Sequence, residues 1–259
     1  MMFSIRTRCL CTTFAMAMVL PGTTPAAAQT FVPAPAAPDS PQASRAFAGL
    51  FRDTVTDFRG LASKDHLTVL AVGALVAAAT HGMDRQATST LSNPRAGFLA
   101  GGETIGSARF QLGGALAAFA VGRAIGHAKI SAVGADLIRA NIVSQTLTGA
   151  VKFAARRERP DGTEFSFPSG HASVTFATAT VLQRHLGWKA GAPAYAAASY
   201  VAASRIHDKR HFLSDVAFGA AVGVVSGWTV TIGHGKARMA VAPMATPGGG
   251  GIGFTWTGQ

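Results

Sequence analysis

The residues of this chain whose types and spacing could do chemistry fall in three short motifs. Lys152 stands seven residues ahead of Arg159-Pro160, Pro168-Ser169-Gly170-His171 follows, and then come Ser204-Arg205, His211 and Asp215. Three cations, two imidazoles, a carboxylate and a small-residue turn at these spacings suit convergence on one phosphate. A phosphoryl group in transfer spreads charge over its equatorial oxygens, so a protein handling it without a metal supplies fixed cations and backbone donors in those places. Lys152, Arg159 and Arg205 meet the first need. Lys152 and Arg159 lie about two helical turns apart, so both can point from one face at the end of a helix that Pro160 stops. The second need is met if a helix begins after Pro168, because its first turn presents Ser169 and the amides of Gly170 and His171 as an anion cradle. His211 and Asp215, four apart, share a helical face. A carboxylate that holds one imidazole nitrogen as a donor leaves the other as a nucleophile toward phosphorus, and His171 is then placed to protonate the leaving alkoxide and later to activate water.

These positions resemble the signature of the type 2 phosphatidic acid phosphatase superfamily over roughly residues 140 to 230. That superfamily includes bacterial non-specific acid phosphatases, lipid phosphate and undecaprenyl pyrophosphate phosphatases, and the vanadium haloperoxidases. The resemblance implies that His211 forms a phosphohistidine, that Asp215 orients it, and that His171 is the general acid and base. It further implies that Lys152, Arg159, Ser169, Gly170 and Arg205 hold the phosphate, with no metal and no cofactor. The expected activity is a phosphomonoesterase acting on a lipid phosphate or a small phosphate ester, with vanadate as an inhibitor. A vanadium haloperoxidase, with vanadate as cofactor in the same cradle, is the alternative enzyme, but this chain leaves little room for the extra helices of those longer proteins. A non-catalytic envelope or lipid-binding module is the alternative from another class, and the presence of His171, His211 and Asp215 together argues against it.

The remaining polar residues have simpler readings. A lone histidine on an apolar helix is usually a packed, hydrogen-bonded residue, which is the expectation for His66, His81, His127, His185 and His234. His207 is expected at solvent or at the rim of the site. Arg156 and Arg157 read as ordinary partners of a helix C-terminus, and Asp208-Lys209-Arg210 as a solvated loop.

The elements that must position these residues are helical. Periodicity predicts helices over Ser44 to Arg59, Ser63 to about Met83, Phe110 to His127, Ala132 to Arg157, Ser169 to Leu186, Ala192 to Ser204 and His211 to Ile232. In the first, Phe47, Leu50, Phe51, Val55 and Phe58 share the face expected to pack on the bundle. Asn141, Gln145, Thr148 and Lys152 form a polar stripe suited to a wet cleft. The stretch from Asp84 to Ser107 is irregular with room for a short helix, and the alternating Ile252, Phe254 and Trp256 predict a C-terminal hairpin. The fold class is therefore all-α, a bundle of about six core helices with a small β-hairpin.

Composition sets the location. Arg6 and Arg8, the short apolar run Cys9 to Leu20 and Ala26-Ala27-Ala28 before Gln29 form a secretory signal peptide over 1–28. A Pro/Ala-rich linker over 29–43, a helical domain over 44–235 and a tail over 236–259 follow. Both cysteines lie in the signal, so the mature chain has neither disulfide nor thiolate chemistry. Loss of Arg6 and Arg8 takes the formal charge from +11 to +9, which favours anionic substrates and surfaces. Scattered cations and few aromatics exclude nucleic acid. If the first three long helices after the signal all crossed a membrane, Lys152 would end in the cytoplasm. An exported, periplasmic bundle associated with a membrane surface is the expectation.

Overall fold

The computed structural model describes residues 42–92, 98–99, 101–231, 238–246 and 249–257. The signal peptide, all of the linker but its last two residues, and His234 lie outside the described residues. Nine α-helices occur among them: α1 Gln42–Gly60, α2 Lys64–His81, α3 Asp84–Leu91, α4 Gly102–Gly106, α5 Ala108–Ala124, α6 Ala128–Ala155, α7 Gly170–Leu186, α8 Trp188–His207 and α9 Leu213–Val230. The expected hairpin is present, with β1 Arg238–Thr246 antiparallel to β2 Gly249–Thr257 and Thr246 opposite Gly249. The fold class is all-α with this one appendage.

Local chemistry explains most boundaries. Ser63, Ser107 and Ser169 cap α2, α5 and α7 by accepting the amides of His66, Phe110 and Ala172. Gly187, at φ +76°, ends α7 in a conformation that costs a glycine little, and α8 starts at the next residue. That start lies four residues ahead of the expected Ala192. Pro193 sits within the helix, where it forgoes one backbone bond. The irregular stretch after α2 holds two short helices, α3 and α4.

α7 is the centre of the bundle and packs on α6, α8 and α9, while α2 covers α9 and α5 covers α6. A buried cluster of Ala140, Val143, Ala177, Val181 and Val230 joins α6, α7 and α9. A second cluster, Ala172, Ile206 and Val216, lies beside the starts of α7 and α9. Each fully buried valine contributes roughly 1.5–3 kcal/mol. α7 and α9 run parallel in close contact, because α9 turns a row of glycines toward α7. A Cβ on Gly219 would meet the carbonyl oxygen of Ser169 at 2.6 Å, and one on Gly223 that of Ser173 at 2.3 Å.

α1 packs by a different face from the one expected. Phe51 is 74% exposed and Val55 also points outward, whereas Thr54 and Asp57 are buried and Phe58 packs on the first cluster. The cause is Arg139 of α6, whose guanidinium donates to both oxygens of Asp57 at 2.7 and 2.8 Å and to Asp136 at 2.8 Å. A buried charge must be paired, and this pair sets the rotation of α1 against the simple apolar count.

Leu67, Leu75 and Val76 of α2 and Phe110, Leu116 and Val121 of α5 stand exposed. Among the described residues α9 is long and apolar enough to cross a membrane, and α1 with α2 would also qualify if taken together across their 67° bend. Most of α9 is buried inside the bundle, as a core helix would be.

The α7–α9 contact leaves no space for a methyl group. Gly223→Ala is expected to destabilise the protein by about 1–3 kcal/mol through overpacking, read as a lowered melting temperature. A melting temperature equal to wild type would show that the two helices are not locked at that point.

Candidate active site

Four helix ends meet at one end of the bundle: the C-termini of α6 and α8 and the N-termini of α7 and α9. The two N-termini bring the positive ends of their dipoles to the same place. Lys152 and Arg205, in the last turns of α6 and α8, set cations against the opposite dipoles.

α6 ends at Ala155, because Arg156 takes a left-handed conformation at φ 46°. Arg159 is therefore not on the helical face it was expected to share with Lys152. It lies in the 156–169 loop, where its N–H donates to the Thr163 carbonyl at 2.7 Å and its carbonyl accepts from Gly162 at 3.0 Å. The Lys152 ammonium ties this loop back to α6 by donating to the carbonyls of Phe165 at 2.5 Å and Ser166 at 3.3 Å. Burial, and then the Arg159 cation, lower its pKa to about 8. The polar stripe of α6 does face this region: Thr148 is buried and Gln145 donates to the Gly170 carbonyl at 3.4 Å.

Ser169 is fully buried, and its own amide donates to the backbone carbonyl of Asp215 at 3.0 Å. The cradle of backbone donors thus consists of the Gly170 and His171 amides, the first two of α7, without that of Ser169. The His171 ring lies against α4, where a Cβ on Gly106 would come within 3.1 Å of it. Burial, then the charges of Arg205 and His211, lower its pKa to about 4.

Arg205 is 2% exposed, with its guanidinium bonded to Asp208 and, at 3.3 Å, to Ser204 Oγ. Asp208 is accordingly an ion-pair partner and not part of a solvated loop. His207 Nδ1–H donates to the Leu91 carbonyl, 2.7 Å away, and the ring is half-buried. The Arg205 carbonyl accepts the amide of His211 at 3.2 Å and thereby couples the end of α8 to the residues before α9.

His211 stands just ahead of α9 and Asp215 in its first turn. His211 Nδ1 is 3.7 Å from Asp215 Oδ2, an ion-pair distance beyond hydrogen bonding. Asp215 has no exposed surface and is saturated by other donors. Oδ1 accepts from Arg157 at 2.7 Å, while Oδ2 accepts from the Phe212 amide at 2.7 Å and from Ser166 Oγ. Burial pushes its carboxyl up, but the His211 ring, Ser166, the Phe212 amide and Arg157 together hold it below the usual carboxylate range. Burial pushes His211 down, with Asp215 opposing. Among the described residues, four buried side-chain atoms lack a hydrogen-bond partner: Thr148 Oγ1, Arg159 Nε, His171 Nε2 and His211 Nδ1. All four belong to this end of the bundle, and three belong to residues expected from the sequence.

The sequence reading missed Arg157, Ser166, Asp84 and Ser214. Arg157 is no mere helix-end cation: besides Asp215 it bonds Ser214 Oγ and Asp84 Oδ2, each at 2.7 Å, and lies 4.3 Å over the Phe212 ring. Asp84 also accepts the Ser214 amide at 2.9 Å across a separation of 130 residues. No local pattern pairs positions that far apart. The assignments of His66 and His185 hold, the first on the Gly60 carbonyl at 2.9 Å and the second on Asp136 at 2.8 Å.

The chain is similar to known proteins over part of its length. A lipid A 1-phosphatase from Porphyromonas gingivalis is 44% identical over 87 residues, which are 31% of this chain and 19% of that protein. The chain thus spans only about a fifth of the length of that relative. In fold it is similar to the crystal structure of the first transmembrane PAP2 type phosphatidylglycerolphosphate phosphatase from Bacillus subtilis. The TM-score is 0.54 at 21% identity, over 65% of this chain and 95% of the other. The family model of the PAP2 superfamily matches residues 134–239, a stretch that holds every residue from Lys152 to Asp215. The stretch that builds the site, from α6 through α9, is thus the part of the chain that is similar to the PAP2 superfamily.

Proposed function

We propose that the protein is a metal-independent phosphatase that hydrolyses phosphate monoesters through a phosphohistidine on His211. The observation that carries this reading is the pair of imidazoles, buried His211 and half-buried His171, placed at two converging helix N-termini with Asp215 beside one and Arg205 beside the other. In the first step the Nε2 lone pair of His211 attacks phosphorus, the ester P–O bond breaks, and the leaving oxygen takes a proton from His171. In the second step His171 removes a proton from water, the water oxygen attacks phosphorus, and the P–N bond breaks with its electrons returning to His211. Lys152, Arg159, Arg205, Ser169 and the Gly170 amide hold the phosphoryl oxygens. Asp215 holds His211 in the orientation that turns Nε2 toward phosphorus.

A lipid phosphate suits the surroundings better than a soluble ester. Apolar side chains stand exposed along α2 and α5, which favours contact with an acyl surface. The relatives are named for lipid A and for phosphatidylglycerolphosphate. In this reading residues 1–28 direct export, and the bundle works in the periplasm in association with the membrane. Turnover should be higher on a short-chain lipid phosphate in detergent micelles than on a small soluble ester at equal concentration. The reverse order would remove the lipid assignment and leave the phosphatase.

Hydrolysis of a chromogenic phosphate ester in the presence of a chelator tests the reaction itself. His211→Ala should abolish turnover without unfolding, since the nucleophile is lost. His171→Ala should slow an alkyl ester by about 10²–10⁴-fold but a nitrophenyl ester much less, because nitrophenolate leaves without a proton. Equal losses on both esters would contradict the acid role, and activity that required added magnesium or zinc would contradict the metal-free mechanism.

The pH dependence follows from the cradle. Lys152 must be charged to hold phosphate and its pKa is about 8, so inhibition by vanadate should weaken as pH rises through 8. Lys152→Arg should remove that limb, because the guanidinium stays charged. A limb unchanged in Lys152→Arg would assign it to another group.

A further inference from the structure

Arg157 lies between the two cations expected to hold phosphate, yet both ends of its guanidinium are committed to protein groups. Nη1 donates to Asp215 Oδ1 and Ser214 Oγ, and Nη2 donates to Asp84 Oδ2 with His81 Nδ1 at 3.4 Å. Asp84 is 3% exposed and is itself fastened to the start of α9. Its Oδ1 accepts the Ser214 amide at 2.9 Å and its Oδ2 accepts Ser214 Oγ at 2.7 Å. One guanidinium thus bridges two buried carboxylates that come from opposite parts of the chain.

We propose that Arg157, held by Asp84, is a positioning residue for the His211–Asp215 pair and not a further phosphate ligand. Arg157 takes Oδ1 of Asp215, so the carboxylate plane is set with Oδ2 toward His211 Nδ1. Oδ2 already accepts from Phe212 and Ser166 and lies 3.7 Å from Nδ1, so the carboxylate acts on the ring through its charge, which favours the proton on Nδ1 and leaves the lone pair on Nε2. Asp84 supplies the second anchor that keeps the guanidinium from swinging into the cradle. The charged groups facing Asp215 are Lys152 of α6, Arg157 and Arg159 of the 156–169 loop, and His211. Those facing Arg157 from other elements are Asp84 of α3 and His81 of α2. Removing Arg157 therefore takes away the cation bonded directly to Asp215 and leaves the cradle cations in place.

The inference rests on the phosphohistidine reading, and the test separates the two. In the full chain, Arg157→Gln and Asp84→Asn should lower kcat by about 10²-fold while the inhibition constant for inorganic phosphate, which reads the cradle and not the nucleophile, stays at the wild-type value. Arg157→Lys should recover part of the loss. The acid limb of kcat should move to higher pH in Arg157→Gln, because Asp215 without its cation protonates earlier as pH falls. Phosphate inhibition weakened in step with kcat/KM would make Arg157 a phosphate ligand and overturn the proposal, as would an unchanged kcat with an unchanged acid limb. If Arg157→Gln fails to fold, Arg157→Lys and Asp84→Asn carry the same comparison. A wild-type protein without any phosphatase activity would remove the phosphohistidine reading instead. The ring nitrogen signals of His211 in a ¹⁵N spectrum need no turnover and still decide the positioning role. The Nδ1–H tautomer should dominate in wild type and give way to a mixture in Arg157→Lys or Asp84→Asn, and identical spectra would overturn the proposal.

Discussion

A carboxylate with no exposed surface constrains everything at this end of the molecule. An ionised group removed from water is stable only when hydrogen-bond donors and cations replace the lost solvent. Asp215 obtains them from Arg157 and Ser166 in the loop after α6 and from the Phe212 amide at the start of its own helix, with His211 alongside. Its backbone carbonyl receives the Ser169 amide at the start of α7. Satisfying this one residue therefore fixes the path of the loop, the start of α7 and the start of α9. Loss of a partner from such a buried pair costs roughly 3–5 kcal/mol, so the geometry has little freedom to relax.

The glycine row of α9 makes that arrangement reachable. Two parallel helices ordinarily lie 8–10 Å apart, at a distance set by the side chains between them. Glycines at 219 and 223 let α9 press on the backbone of α7, and the two helix N-termini then end side by side. Their dipoles therefore add at one place. Preorganised dipoles of this kind stabilise a phosphoryl transition state without moving when the charge develops.

The site gives up some stability for this. Three buried nitrogens, on Arg159, His171 and His211, and the Thr148 hydroxyl have no protein partner among the described residues. Each such group costs about 1–3 kcal/mol when left unsatisfied. Arg156 and Phe165, in the loop at the site, and Lys209, beyond Arg205, adopt positive φ without being glycine. Strain of that sort persists only where the surroundings over-determine it, and it clusters at functional sites. The Lys152 bonds to the Phe165 and Ser166 carbonyls provide that restraint for one side of the loop.

What the sequence by itself determined was local: the long helices, the Ser169 small-residue start of α7, and the spacing that puts His211 and Asp215 four apart. Each depends on residues within a few turns of one another, so periodicity and cap chemistry suffice to read them. The match of Lys152, His171, Arg205, His211 and Asp215 to one end of the bundle was also legible, because four helix ends in antiparallel order bring those motifs together. What only the tertiary structure decided was the choice of ion-pair partners. Arg157 looked like a helix-end cation until Asp84, Ser214 and Asp215 closed around it. Arg159 left its helix because Arg156 turned left-handed. α1 buried Asp57 in place of Phe51 because Arg139 waited on the other side. A pairing of buried charges depends on which groups meet in space from 58 to 82 residues apart, and its energy is large enough to override the local pattern that a sequence displays.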